Sequence, residues 1–181
     1  MDFLKQTRRG LLMLAVAVTI AGGRLRAQSA GEWEIKAAFL YKFASFAQWP
    51  DEGSGGSFCI GVLGQSPFGE FLDEAVKGKS RNGRPFTIKR FRSGQDVSGC
   101  QIVFISSSEQ KDMAAILQKM PAAVLTVGDE PGFCETGGVI GFQLENQRVR
   151  LQVNLASAQR EHIQLSSKLL SVAKLTGGSG Q

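Results

Sequence analysis

From Glu32 to Trp49 the apolar residues Ile35, Ala38, Phe39, Phe43, Phe46 and Ala47 recur at intervals of three and four. That spacing predicts one face of an amphipathic helix, with Pro50 as its stop. Glycines between Asp51 and Ser57 mark a loop. The unbroken apolar run Phe58-Cys59-Ile60-Gly61-Val62-Leu63 then has the length of a buried strand. In Gly64-Gln65-Ser66-Pro67, Ser66 is suited to cap a helix that Pro67 opens and that runs to about Gly78. Arg84 to Phe91 alternates, which predicts a strand with one wetter face at the edge of a sheet.

Gln101–Ile105 and Ala122–Val127 read as further apolar strands. Between them lies a predicted helix over Gln110–Met120, opened by the capping box Ser106-x-x-Glu109 and ended by Pro121. Val139–Leu144 and Arg148–Asn154 alternate on either side of Glu145-Asn146-Gln147, a hairpin-length link without the preferred glycine. Ala156 to about Leu175 reads as a last helix, broken near Gln164-Leu165 if anywhere, and Gly177–Gln181 as a flexible tail. This order predicts an α/β fold with a single open mixed sheet, a parallel centre, an antiparallel edge hairpin and helices on both faces.

Ahead of the domain stand Lys5, Arg8 and Arg9, then the apolar run Leu11–Ala21, then small residues and an Ala27-Gln28 junction. This is the layout of a secretory signal peptide over residues 1–27, leaving one domain over 28–176. The apolar run is too short to span a bilayer, and the Arg8-Arg9 pair is compatible with either export route. The peptide also carries most of the excess charge. The chain has 21 basic and 16 acidic residues; Lys5, Arg8, Arg9, Arg24 and Arg26 against Asp2 fall in the first 27, so the remainder has 16 basic and 15 acidic, a net +1. A near-neutral domain argues against nucleic acid as a partner.

Export places Cys59, Cys100 and Cys134 where disulfides persist. If the strand at Phe58–Leu63 lies between those at Arg84–Phe91 and Gln101–Ile105, the starts of parallel neighbours bring Cys59 beside Cys100, and a Cys59–Cys100 bridge is expected. Cys134 is left over in a loop.

Chemistry is harder to find. Gly64-Gln65-Ser66-Pro67-Phe68 lacks the second glycine of a nucleophile elbow, His162 is the only histidine, and Asp73-Glu74 and Asp129-Glu130 read as solvated pairs. No catalytic set, metal-ligand set or cofactor motif emerges. The fold offers a crevice at the carboxyl ends of the parallel strands, where Gly64, Gln65, Ser66, Ser106, Ser107, Gly128 and Asp129 could receive a small anion. The first helix is the better candidate for a contact surface. Lys36, Tyr41, Lys42, Phe46 and Trp49 give it aromatic area with basic neighbours, suited to a protein partner or a second copy of the chain.

Several blocks stand in a recognisable order: Ile35-Lys36-Ala37-Ala38-Phe39-Leu40-Tyr41-Lys42-Phe43 with Trp49-Pro50, Ile60-Gly61-Val62-Leu63-Gly64 with Pro67-Phe68-Gly69, Gly137-Gly138-Val139-Ile140-Gly141-Phe142, Val153-Asn154-Leu155, and Ile163-Gln164-Leu165-Ser166-Ser167-Lys168-Leu169-Leu170. Together they resemble the YfiR-like family over nearly the whole domain. The resemblance implies a periplasmic, non-enzymatic regulator that restrains an inner-membrane diguanylate cyclase through its periplasmic part, lowering cyclic di-GMP and biofilm output. It also implies two disulfides. The Cys59/Cys100 pair matches the first, whereas Phe142 and Gln143 stand in the hairpin where a partner for Cys134 is expected, so redox sensitivity does not carry over directly. The alternative reading is a periplasmic small-ligand sensor using the sheet-end crevice, with a hydrolase a distant third.

Overall fold

The computed structural model describes residues 31–50 and 56–177; the expected signal peptide and the last residues of the expected tail lie outside them. Helix α1 runs over residues 31–46 and passes directly into strand β1, Ala47–Gln48. The main strands are β2 (Phe58–Leu63), β4 (Arg84–Phe91), β5 (Ile102–Ile105), β6 (Leu125–Gly128), β7 (Ile140–Glu145) and β8 (Arg148–Asn154). Short elements fill the intervals: α2 (Phe71–Val76), β3 (Ser80–Arg81), a 3-10 helix (Ser107–Asp112), α3 (Met113–Gln118), α4 (Leu155–Arg160), β9 (Gln164–Leu165), α5 (Ser167–Leu170) and β10 (Ala173–Thr176).

Eight strands form one open sheet in the order β10-β8-β7-β6-β5-β2-β4-β3, parallel from β4 through β7. The first apolar strand, β2, does lie between β4 and β5. Alternation sends Phe58, Ile60 and Val62, with Ile102 and Phe104, to one face, where they meet Ala37, Leu40, Phe43 and Ala44 of α1 and Leu72 of α2. Cys59, Leu63, Val103 and Ile105 point to the other face and pack with Val97, Cys100, Met113, Phe133 and Cys134. Both faces are covered, which is why these strands read as continuous apolar runs.

Several expectations are corrected. The buried stripe of α1 is Lys36, Ala37, Leu40, Phe43 and Ala44, rotated from the expected one, and Ile35 is 49% exposed. Pro50 is not its stop: the helix ends at Phe46 because the next two residues pair with β9, Ala47 opposite Leu165 and Gln48 opposite Gln164. Ser66 caps nothing. Phe68, fully buried with its ring 4.8 Å from that of Phe104, holds the chain down before α2 begins, with Glu70 at the cap position. Ser106 accepts from the Ser108 N–H as a cap should, but its own N–H goes to the Leu63 carbonyl, so Glu109 completes no capping box and the segment starts as a 3-10 turn.

The expected last helix is four pieces. His162 takes φ 55°, a left-handed conformation that closes α4; β9 and α5 follow, and β10 runs parallel to β8. The β7–β8 hairpin is consequently one strand in from the edge. Its turn is Asn146-Gln147, with φ 48° and 62°, the pair of positive values that a two-residue hairpin of matching twist requires.

Candidate functional site

The sheet changes winding direction between β2 and β5, since the chain leaves β2 toward β4 and leaves β5 toward β6 and β7. Open α/β sheets bind ligands at such a point. Here Gly64 (φ 89°) and Ser106 directly follow the two strands. The space between them is taken by the chain itself: a Cβ on Gly64 would lie 2.5 Å from the Ser108 hydroxyl and 2.8 Å from Glu109 Oε1. The Gln65 N–H donates to that hydroxyl at 3.0 Å, and the hydroxyl donates to Glu109 Oε1 at 3.2 Å. Ser107 is exposed and the Ser66 hydroxyl is buried without a hydrogen-bond partner. One strand further on, the Phe133 ring lies against Gly128 and Gly138, filling the room their missing side chains leave.

Asp129 departs from this group and joins α1. Its Oδ2 accepts from Lys36 Nζ at 3.2 Å; the ammonium also reaches Glu32 Oε1 at 2.6 Å and sits 4.0 Å from the Trp33 ring centre. Lys36 is 4% exposed, so the charge is held out of water by two carboxylates and an aromatic face. Asp129 Oδ1 is buried without a partner. Beside it runs a groove of about 470 Å³ lined by Glu32, Lys36, Asp129, Phe142, Gln143 and Leu144. The i, i+4 spacing of Glu32 and Lys36 was the one signal in the sequence for this cluster. Glu109, filling the crevice, had none.

The contact candidates on α1 and just beyond it divide. Trp49 is buried against Phe58 at 5.3 Å and donates its indole N–H to the Gln101 carbonyl at 3.2 Å, so with Lys36 it belongs to the interior and presents no surface to a partner. Tyr41 and Phe46 are half-buried and Lys42 is exposed. Tyr41 meets Phe86 edge-on at 5.3 Å, with Lys79 Nζ 4.2 Å from its ring.

The YfiR/HmsC-like family profile matches residues 33–174, from the first turn of α1 into β10. The chain belongs to the YfiR/HmsC-like family. No curated protein sequence matches it. Among the described residues no helix is long and apolar enough to cross a membrane, and no group of three or more histidine, cysteine or carboxylate side chains is placed to hold a metal ion.

In this YfiR/HmsC-like chain Cys59 and Cys100 form the disulfide expected of them, with Cα atoms 4.5 Å apart. It joins the start of β2 to the approach to β5. Cys134 is a free, fully buried thiol near the Val139 and Gln152 carbonyls. Burial, with the nearby Glu135 charge adding, pushes its pKa up to about 12. A Cβ at Gly141 would lie 3.2 Å from its sulfur, so the place for a bridging partner is Gly141 rather than Phe142 or Gln143.

Proposed function

We propose that this chain is an exported, non-catalytic regulator that binds the periplasmic part of an inner-membrane diguanylate cyclase and restrains it, lowering cyclic di-GMP and biofilm output. The family match over residues 33–174 carries the reading. A buried disulfide between Cys59 and Cys100 suits an oxidising compartment. The contact face on α1 consists of Tyr41, Lys42 and Phe46, the candidates that keep exposed area. Crosslinking in the periplasm followed by mass spectrometry tests the assignment. Recovery of a membrane cyclase is expected, and its absence among the crosslinked proteins overturns the reading.

A second reading, a small-ligand sensor, draws on the unpartnered Asp129 Oδ1 beside the groove at Lys36. It shifts the site away from the filled crevice at Gly64 and Ser106. A ligand screen by thermal shift that raises the melting temperature of the parent but not of Asp129→Asn would favour it.

A further inference from the structure

Positive charge is unevenly spread over the molecule. Between residues 77 and 95 there are seven basic side chains, Lys77, Lys79, Arg81, Arg84, Lys89, Arg90 and Arg92, and no acidic one, in a chain whose portion beyond residue 27 is nearly neutral. All seven lie on or beside one sheet edge. Strand β3 covers Arg84 and Pro85 of β4, and the Phe86 N–H donates to the Lys79 carbonyl just before β3; from Thr87 to Phe91, among the described residues, no strand pairs with the outer side of β4.

The basic residues differ in what they are doing. Arg81 and Arg84 donate to the Ala47 and Ser57 carbonyls and brace the edge from within. Arg90 pairs with Asp73 on α2, and Lys77 with Glu74. Lys89 and Arg92 are exposed, and among the described residues neither side chain has an ion-pair partner.

Alternation places these charges on both sides of the strand. Phe86 and Ile88 pack into the α1 side and Phe91 into the disulfide side, so Arg90 and Lys89 project from opposite faces. A flat anionic membrane would meet only one face. A narrow, extended chain added to the edge would meet both, while its main chain paired with β4. The same charges repel a second copy of this edge.

We propose that the open edge of β4 docks an acidic, extended polypeptide segment by strand addition, with Lys89 and Arg92 supplying the charge selection. The identity of the segment rests on the preceding reading: it is then a stretch of the cyclase's periplasmic part, next to Tyr41 on the same side of the molecule. The edge itself can be tested without that partner.

The probe is a fluorescein-labelled peptide of alternating glutamate and valine, of about strand length, titrated against the whole chain by anisotropy with amide exchange measured on the complex. Saturable, salt-weakened binding is expected, with slowed exchange at Ile88 and Arg90, the N–H groups that alternation aims at the open side, and affinity lower by about tenfold or more in Lys89→Glu/Arg92→Glu. Should that variant not fold, Lys89→Gln/Arg92→Gln serves, with a smaller loss expected. Undiminished binding by the folded variant, unchanged exchange at Ile88 and Arg90, or binding to phosphatidylglycerol vesicles but not to the peptide would each overturn the proposal. Peptide binding without recovery of a cyclase sinks only the preceding reading, whereas recovery of a cyclase without peptide binding sinks only this one.

Discussion

Lys36 illustrates how little one side chain's type says about its role. It lies on the core stripe of α1, so its ammonium is buried, and Glu32, Asp129 and Trp33 exist around it as compensation. Lys36→Ala would strand two carboxylates; a loss of about 3 kcal/mol in urea unfolding is expected, much of it recovered when Asp129→Asn is added. Cys134 gives a pH signature. Its folded pKa, about 12 against an ordinary 9.0, lies above that of the unfolded chain. The buried thiol's stabilisation is therefore complete below pH 9 and is lost as pH rises toward 12, because only the unfolded chain gives up the proton. Between pH 8 and 10 the parent should lose about 1 kcal/mol more than Cys134→Ala, read from paired urea midpoints.

The elements show what was legible in the sequence and what was not. Strands β2, β5 and β6 are visible because both their faces are buried; the place of β2 between β4 and β5 enters the sequence reading only as a condition, which the parallel pairing meets. The end of α1 was hidden, because Ala47 and Gln48 leave the helix to pair with residues more than a hundred positions away. Asn82-Gly83, with φ 50° and 78°, is the turn that joins β3 to β4, and its Asn-Gly pair is a hairpin signal the sequence carries openly. Of the candidate site, Lys42, Tyr41 and Phe46 kept exposed area as a contact face needs, whereas Lys36 and Trp49 were aromatic-helix neighbours absorbed by the core. Composition cannot reveal which way a helix is turned. The β7–β8 turn offers a test at this scale: Gln147 holds φ 62° without being glycine, so Gln147→Gly should stabilise by about 0.5–1 kcal/mol, measured by thermal unfolding.

At the scale of the whole molecule the disulfide spans a sequence separation of 41 within the β2–β5 half of the sheet. Cys59→Ala/Cys100→Ala should cost about 3 kcal/mol, visible as a lower urea midpoint. Gly141→Cys should add a second bridge to Cys134, detected as the loss of the remaining thiol in denaturing mass analysis. The disulfide also carries a consequence for timing. For a chain threaded amino end first into an oxidising space, both sulfurs have arrived before β6 to β10 follow. The first half of the sheet can thus be locked while the second is still crossing, and a chain arrested just past Pro121 should already run as the bridged form on a non-reducing gel.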